Sequence, residues 1–327
     1  MIDLHAARFG RFAAGYESFY LRAGHPDGGL GVWIRYTVHR RAGAAPTGSL
    51  WFTLFDAGAP APVAAKLTMP DPETGAGDWL RVAGGRIGPG AATGQIAVPD
   101  GPQVDWELRF DGAAPLAHLP RGWLYRTPVP RTKPVSLHPV ARFDGTVTVA
   151  GRRIELAGWP GMVGHNWGSQ HAERWIWLHG MGFAGAGADT WLDVVFARVI
   201  LGKGLTPWLA GGALSLAGQR FRLGGVTRHR AVAVTETPDS LRFALPGRGV
   251  TVSGTVTAPR ERFVGWVYTD PSGSEHHVVN SSIADLEVSV ARRGAAPETL
   301  RATGLAAYEL GMRERDHGMV IQQFSDG

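Results

Sequence analysis

The sequence predicts an all-β protein, and three observations support that prediction. The 327 residues include 46 glycines and 22 prolines, so the chain is rich in turn formers, while its 44% of hydrophobic residues is typical of a globular protein. Short segments of alternating apolar and polar residues follow one another along the chain. No segment of the first half shows a sustained apolar period of about 3.6 residues. Strands at this spacing predict a β-barrel or a β-sandwich.

In the first half, the predicted strands alternate as half-buried antiparallel strands do. Residues 15–21 form an aromatic-rich strand that places Glu17 among large apolar neighbours. A turn at 25–29 then reverses the chain, and residues 32–38 form a strand that is apolar on one face and amphipathic on the other. The same reasoning predicts strands at 49–56, 78–82, 94–98 and 103–110.

A proline-rich segment divides the chain. Residues 127–139 contain four prolines, which remove backbone donors and favour an extended conformation, so we predict a linker or crossover between two halves there. The chain length fits two domains of about 150 residues each, or one large β-architecture. We place the domain boundary after residue 139, which gives domains of 1–139 and 140–327. The second half is predicted to contain strands at 145–149, 152–156, 174–179, 191–200, 219–223, 226–237, 240–245, 250–257, 263–269, 275–280 and 284–291.

The greatest density of chemically reactive side chains lies in residues 161–180, with the sequence GMVGHNWGSQHAERWIWLHG. Its first part predicts a glycine-bounded turn that carries His165, Asn166 and Trp167. Its second part, 174–179, predicts a strand. Alternation in that strand places three side chains on one face, namely Trp175, Trp177 and His179.

The next strand, 191–200, carries a carboxylate on an otherwise apolar face. Asp193 shares that face with Trp191, and an ionised carboxylate there is costly unless it is paired, hydrogen-bonded or protonated. If odd-numbered residues pair with odd-numbered residues across the glycine-rich loop between the two strands, both residues join the Trp/Trp/His face. Two interpretations stand at this point. The shared face is either a cavity wall beside an apolar ligand or a core in which Asp193 pairs with Arg174 or Arg198.

Several other side chains are candidates for the same site or for a second one. His165 and Asn166 point into a pocket from a tight loop, or they belong to a purely structural turn. Glu17 either lines a cavity or forms a salt bridge to an arginine on a neighbouring strand. Trp266 and Tyr268 share one face of the strand 263–269 and are candidates to line the same cavity.

Charge and composition exclude several classes of function. The formal net charge is +5, but the basic residues are dispersed in nothing longer than pairs, so nucleic-acid binding is not expected. The net positive charge leaves a weak attraction to anionic membrane surfaces open. The absence of cysteine excludes disulfides and thiolate chemistry. The histidine spacing matches no metal motif, so we expect neither metal ligands nor a cofactor. Serine-hydrolase and nucleotide-binding signatures are also absent.

Targeting signals are equally scarce. The N-terminal residues lack the apolar region of a secretory signal, and no run approaches the ~18 apolar residues that a membrane span needs. We therefore expect a cytoplasmic protein. The sequence does not indicate the oligomeric state.

Two motifs carry a resemblance to a known superfamily. The segment GHNWG at 164–168, followed by WIWLHG at 175–180, resembles the AttH/CrtC-like superfamily, which includes carotenoid 1,2-hydratases (hydroxyneurosporene synthases) and, more remotely, fungal Diels–Alderases and tocopherol cyclase-like proteins. Residues 16–20 and 268–273 are similar to an early and a late part of these proteins. The resemblance implies two consecutive lipocalin-like antiparallel β-barrel domains, of which the second, 140–327, carries both motifs. It also implies a ligand site at or near their junction.

The same resemblance implies a function. Hydrophobic isoprenoid or polyketide-like ligands and reactions without organic cofactors, such as hydration, cyclisation and pericyclic ring closure, are typical of the superfamily. Since carotenoid hydratases are thought to protonate a double bond with an acidic residue, we assign that role to Asp193.

We therefore expect a hydratase (hydro-lyase) or a cyclase/isomerase in which Asp193 or His165 transfers the proton and Asn166 orients the substrate or a water. A non-catalytic carrier of a hydrophobic ligand is one alternative, and a pericyclase that uses only shape and hydrogen bonds is another. The expected ligand-binding residues are Glu17, Trp167, Trp175, Trp177, His179, Trp191, Trp266 and Tyr268.

Overall fold

The structure is a computed structural model that describes residues 3–11, 13–75, 77–99 and 101–322. Within these residues almost all regular structure is β-strand. The first part of the chain forms twelve strands: Gly15–Gly24 (β1), Leu30–Arg40 (β2), Thr47–Asp56 (β3), Val63–Pro70 (β4), Glu73–Gly75 (β5), Asp78–Val82 (β6), Gly85–Gly88 (β7), Ala91–Ile96 (β8), Val104–Gly112 (β9), Leu116–Ala117 (β10), Thr132–Val149 (β11) and Arg152–Gly168 (β12).

The second part continues with strands of the same kind. They are Arg174–Met181 (β13), Trp191–Arg198 (β14), Ile200–Leu201 (β15), Gly204–Leu205 (β16), Leu209–Leu216 (β17), Gln219–Gly224 (β18), Ala233–Thr237 (β19), Ser240–Pro246 (β20), Val250–Thr257 (β21), Val264–Thr269 (β22), Glu275–Arg292 (β23) and Glu298–Met312 (β24). Short 3₁₀ turns lie at Phe9–Arg11, Gly122–Arg126, Val226–Ala231 and Arg260–Arg262.

The strands form two large antiparallel sheets. The first runs in the order β4-β3-β2-β1-β12-β11-β9-β8-β7-β6-β5, with β10 paired to β11. The second runs in the order β18-β17-β14-β13-β24-β23-β21-β20-β19, with β22 paired to β23. The strands β15 and β16 form a separate hairpin that projects between β14 and β17.

Each sheet curls around its own apolar core. In the first core, Phe52 of β3 stacks on Trp106 of β9 with ring centroids 5.8 Å apart. In the second, Phe196 of β14 meets Phe243 of β20 at 6.0 Å. Strands that are distant in the sheet order therefore meet across each core. The chain is all-β and consists of two lipocalin-like antiparallel β-barrels, as predicted.

The two sheets divide later than the predicted domain boundary at residue 139. Both β11 and β12 belong to the first sheet, so the division lies between Gly168 and Arg174. The linker predicted at 127–139 is therefore wrong from Thr132 onward, because those residues begin β11. Burial of Val135 and Leu137, which are 1% and 0% exposed, holds this proline-containing segment in the sheet.

The turn predicted around His165 is also wrong. Residues 164–168 lie inside β12 and pair with β1 on one side and β11 on the other. The glycine that suggested a turn has a packing role, since a Cβ at Gly164 would lie 2.2 Å from Cζ of Tyr20. Glycine at this position lets the backbone approach the Tyr20 ring.

Two smaller differences concern individual strands. The strand predicted at 226–237 begins only at Ala233, because Val226–Ala231 is a 3₁₀ turn. The strands β4, β5, β7, β10, β15, β16, β17 and β24 were not predicted as separate strands. No helix among the described residues has both the length and the apolar character that crossing a membrane requires.

Candidate functional site

The two barrels meet along an aromatic interface. Trp51 of β3 approaches Trp266 and Tyr268 of β22 with ring centroids 5.0 and 5.6 Å apart. Trp33 of β2 lies 6.1 Å from Trp266. Trp266 and Tyr268, both predicted to bind ligand, are only 1% and 5% exposed, so their rings serve to join the barrels.

The register predicted for β13 and β14 is confirmed. Trp177 pairs with Val195 and His179 pairs with Asp193, so odd-numbered residues face odd-numbered residues. The even-numbered residues of β13 enter the second core. Trp177, His179 and Asp193, which are odd-numbered, therefore point towards the first barrel.

Asp193 is fully buried at this interface, and its contacts come from both barrels. Ser136 of β11 is hydrogen-bonded to its Oδ2. The Trp177 indole Nε1 donates to its Oδ1 at 3.3 Å. His118 Nε2 lies 3.8 Å from Oδ2, whereas no arginine among the described residues forms an ion pair with Asp193. The alternative partners Arg174 and Arg198 are engaged elsewhere, by Glu236, Glu314 and the Thr206 carbonyl.

Asp193, Ser136 and His118 form one hydrogen-bonded line that crosses from the second barrel to the first. His118 Nδ1 donates to the Gly211 carbonyl at 3.2 Å, which leaves Nε2 to face the Ser136 hydroxyl at 3.0 Å. A proton carried by this line can be on Asp193, which then donates to Ser136 while Ser136 donates to His118, or on His118, with both hydrogen bonds reversed. Both arrangements satisfy every group, so this line can move a proton to and from the carboxyl of Asp193.

A second carboxylate lies on β24, on the other side of β13. Glu309 accepts hydrogen bonds from the Trp175 indole at 2.9 Å, the Asn280 amide at 3.2 Å and the Tyr268 hydroxyl at 3.3 Å. It is 9% exposed and pairs with Trp177 across the strands. Three neutral donors thus hold a carboxylate in the aromatic interface.

Tyr20 of β1 lies close to both carboxylates. Its ring meets Trp177 edge-on with centroids 5.5 Å apart. Burial raises the pKa of the Tyr20 hydroxyl well above its usual value, and the charges of Asp193 and Glu309 raise it further, so it stays a neutral phenol. Despite this depth, Tyr20 retains partial exposure, as do Asn166 and Val195. Tyr20 and Val195 pack against Trp177 in one apolar cluster between the barrels. We call this partly exposed cluster, together with Asn166 two residues from Gly164 on β12, the inter-barrel cleft.

His179 lies on the expected face but is not free to transfer a proton. Arg22 Nη1 donates to its Nδ1 at 2.9 Å, while its Nε2 donates to the Pro139 carbonyl at 2.8 Å. Because a guanidinium only donates and a carbonyl only accepts, this ring is a neutral imidazole. Burial lowers the pKa of His179 to about 4, and the charge of Arg22 contributes to the same direction. Through Arg22 of β1 and Pro139 of β11, His179 connects β13 of the second barrel to the first barrel.

His165 and Glu17 lie together inside the first barrel, away from the cleft. His165 Nε2 is 2.8 Å from Glu17 Oε1, and its Nδ1 donates to the Leu4 carbonyl at 2.8 Å. The Glu17 carboxylate also accepts the backbone N–H groups of Arg8 and Phe9. This fully buried group ties the N-terminal segment across the barrel, and the predicted partner of Glu17, an arginine, is replaced by His165.

The remaining predicted residues divide between core and cleft. Trp167 packs in the first core, 5.8 Å from Tyr125. Trp191 lies under Arg220 at 5.1 Å and is 2% exposed, so it shares the face of Asp193 without reaching the cleft. Asn166 faces the cleft, and within the described residues its buried Oδ1 has no hydrogen-bond partner. An unused acceptor at this position is suited to orienting a hydroxyl or a water.

Among the described residues, one group consists of side chains of the types that bind metal ions, namely His171, Asp270 and His276. His171 Nδ1 and His276 Nε2 donate to opposite oxygens of Asp270, at 2.7 and 3.2 Å. The three side chains bring one ligand atom each within 4.8 Å of one another. Burial alone would raise the pKa of Asp270, but the hydrogen bonds from both histidines hold it below its usual range. These two hydrogen bonds occupy the histidine nitrogens that face the Asp270 carboxylate.

A concavity on the second sheet lies away from this site. It has a volume of about 870 Å³ and lies on the outer surface of the second sheet, between β19 and β24. Its lining is dominated by polar side chains such as Thr255, Arg242 and Glu287. It contains none of the predicted site residues.

Comparison with known sequences finds a relative of similar length. No protein-family model matches the chain. An uncharacterised protein of Mycobacterium tuberculosis, from strains CDC 1551 and H37Rv, is 29% identical over 316 residues, which cover 92% of this chain and 91% of that protein.

Solved structures show the fold more directly. An AttH-like protein from Nitrosomonas europaea is 13% identical and has a TM-score of 0.57, covering 96% of this chain and 98% of that chain. CghA with Sch210972 is 12% identical with a TM-score of 0.61, covering 92% and 88%. Kievitone hydratase from Nectria haematococca is 9% identical with a TM-score of 0.56, covering 94% and 89%. The chain therefore has the AttH-like, lipocalin-type fold that its two motifs predicted.

Sequence reasoning missed several residues around Asp193. Glu309 had a readable signal, since Tyr308 and Leu310 on either side of it enter the second core and leave Glu309 on the opposite face. That signal required the strand β24, which was not predicted. Ser136 and His118 had no local signal, because only the pairing between distant strands brings them to Asp193.

Proposed function

We propose that this protein is an enzyme that protonates a carbon–carbon double bond of a hydrophobic substrate in the inter-barrel cleft, with Asp193 as the acid. The observation that carries the proposal is the hydrogen-bonded line from Asp193 through Ser136 to His118, which lies beside the indole of Trp177. Positioned acids of this kind contribute about 10²–10⁴ in rate.

The surroundings suit the cation that protonation creates. The rings of Tyr20 and Trp177 border the cleft, and aromatic faces attract positive charge. The carboxylate of Glu309 adds a negative charge in a water-poor setting, where electrostatic stabilisation is strong. The neutral Tyr20 hydroxyl and the unused Asn166 acceptor are available to hold a water or a substrate oxygen.

Two reactions can follow protonation of the double bond. In hydration, a water oxygen bonds to the cationic carbon and the water then loses a proton to the Asp193 carboxylate, so one water is added and the acid is restored. In cyclisation, a second double bond of the substrate attacks the cation, and a proton leaves carbon for a carboxylate, so the product is an isomer of the substrate. Either reaction proceeds without a further reactant.

The structural likenesses support an enzyme of this general kind. One protein with this fold is named a hydratase, and another was solved with Sch210972. Because these likenesses are at the level of the fold, the assignment of Asp193 rests on the geometry of this chain.

The test begins with the substrate. The purified protein is incubated with neutral-lipid extract in ¹⁸O-labelled water, and the lipids are followed by mass spectrometry. A hydratase yields a product that gains one labelled water, whereas a cyclase yields an unlabelled isomer with a new retention time. A binding-only protein retains lipid during gel filtration and changes none of it, which would overturn the enzyme proposal.

The acid is tested with Asp193→Asn, which preserves the size of the side chain and its acceptor oxygen. We expect turnover to fall by about 10²–10⁴ while the affinity for the neutral dye Nile red is unchanged. The matched control is Asp105→Asn, an exposed aspartate on β9. Unchanged turnover in Asp193→Asn would favour the pericyclase, which needs no acid.

A further inference from the structure

We infer that a corner formed by one loop of the first barrel and two loops of the second docks on the surface of an anionic lipid bilayer. We call this corner, formed by residues 119–131, 199–208 and 225–232, the loop corner. Among the described residues, eight large apolar side chains are exposed, and six of them lie in these three loops. Such clustering marks an interaction surface, because scattered exposed apolar residues would need no explanation. The six are Trp123, Val129, Ile200, Leu201, Leu205 and Val226.

The three loops are neighbours in space because all of them adjoin the start of β17. The hairpin 200–205 leads directly into β17, where the Ala210 carbonyl accepts the N–H of Gly225 at 2.8 Å, just before Val226. His118, at the start of the first loop, contacts the Gly211 carbonyl. Arg222 donates to the Leu119 carbonyl at 3.3 Å and ties the same loop to β18.

The charge of the loop corner identifies its partner. The three loops contain no aspartate or glutamate, and six of their basic side chains are exposed. The net charge of the whole chain is +5, so without these six the remainder would be −1, that is 5 − 6. Basic side chains beside exposed apolar ones fit anionic lipid headgroups above an acyl layer. The six are Arg121, Arg126, Arg131, Lys203, Arg228 and Arg230.

The apolar side chains are arranged for shallow insertion. Ile200, Leu201 and Leu205 lie on the two-stranded hairpin of β15 and β16, and they are 58%, 62% and 43% exposed. Trp123 is 59% exposed on a neighbouring loop, and indoles favour the interface between headgroups and acyl chains. Side chains on separate loop tips suit a soft bilayer better than one rigid protein face.

Docking there would also serve the cleft. Val195, which lines the inter-barrel cleft, pairs with Gly211 beside the loop corner. A hydrophobic substrate could then pass from the bilayer to the cleft without crossing water. This consequence rests on the proposed function, whereas the docking itself does not.

The test uses the full-length protein and vesicles in a flotation assay. We expect binding to vesicles with 30% phosphatidylglycerol in phosphatidylcholine to be at least tenfold tighter than to pure phosphatidylcholine. The double variant Leu201→Asp/Leu205→Asp and the double variant Arg228→Gln/Arg230→Gln should each weaken binding by about tenfold or more. The matched control is Met69→Asp, since Met69 is an exposed apolar residue on the first sheet, and it should bind like the original protein.

Each outcome decides the question. Failure to bind either vesicle, indifference to lipid charge, or equal loss in Met69→Asp overturns the proposal. Analytical ultracentrifugation tests whether the loop corner instead binds a second copy of this chain. A dimer that the Leu201→Asp/Leu205→Asp variant converts to monomers would make the loop corner a self-association surface. Asp193→Asn should bind vesicles normally, so a failure of docking is distinguishable from a failure of the proposed enzyme.

Discussion

Asp193 of the second barrel is hydrogen-bonded to Ser136 of the first. The acid is therefore complete only when the two barrels are docked. Ser136 also faces His118 at 3.0 Å, so this serine is the link through which the carboxyl can regain a proton. The geometry makes Ser136 a positioning residue.

Replacing Ser136 with alanine should break that link without touching Asp193. We expect turnover to fall by about tenfold or more and the pH–rate profile to change shape, because the hydrogen-bonded connection between Asp193 and His118 is then lost. Ser49→Ala is the control, since Ser49 is a buried serine that contacts Thr68 on the first sheet. Superimposable pH profiles for Ser136→Ala and the original protein would contradict a proton line.

Glu309→Gln tests the second carboxylate. In the original protein, the Tyr268 hydroxyl and the Asn280 amide both donate to the second carboxylate oxygen of Glu309. The glutamine keeps one acceptor oxygen, but its NH₂ group would face these two donors. We expect the free energy of unfolding to fall by about 1–3 kcal/mol and turnover to fall as well, as measured by urea denaturation and product formation. Glu107→Gln, at an exposed position on β9, should change neither. Full stability in Glu309→Gln would mean that these hydrogen bonds do not hold the interface.

Gly164→Ala tests the shape of the cleft. The added Cβ would lie 2.2 Å from Cζ and 2.5 Å from the hydroxyl oxygen of Tyr20, so the ring must move. We expect a loss of about 1–3 kcal/mol in stability and weaker binding of Nile red. Gly122→Ala is the control, because a Cβ there meets nothing within 4 Å. Equal dye binding by both variants would show that Tyr20 does not line the binding site.

His179 predicts how stability depends on pH. Its pKa is about 4 in the folded protein and about 6.5 in an unfolded chain, so the unfolded state binds the additional proton between these values. This contribution to stability is complete above pH 6.5 and is lost as the pH falls towards 4, by roughly 3 kcal/mol at about 1.4 kcal/mol per pKa unit. Urea denaturation across this window should show a shallower pH dependence in His179→Gln. Parallel curves would contradict a neutral, buried His179.

Alternation of apolar and polar residues in the sequence predicted which side chains share a face of a strand. Strict alternation in β13 and β14 placed Trp177, His179 and Asp193 on one face, and the structure confirms it. Glycine and proline misled the prediction at Gly164 and at Pro134, where the segments that contain them are strands. In both places, packing across the sheet outweighs the local preference for a turn or a linker.

The candidate site was less predictable, because its contacts join residues that are distant in sequence. His165 and Glu17 were expected near the cleft, but their alternation with Gly164 and Ser18 points them into the first barrel. Deciding which face of a strand is core requires knowing its neighbours, and those come from the sheet order. The partners of Asp193 could be found only from the structure.

The most direct test of the central claim is to run the reaction in deuterium oxide with the original protein, Asp193→Asn and Asp105→Asn. The product should carry one deuterium on carbon, because Asp193 exchanges its proton with solvent through Ser136 and His118 before delivering it. We predict that Asp105→Asn forms this labelled product at the original rate, and that Asp193→Asn forms it about 10²–10⁴ times more slowly. Equal rates of labelled product from both variants would show that Asp193 is not the acid.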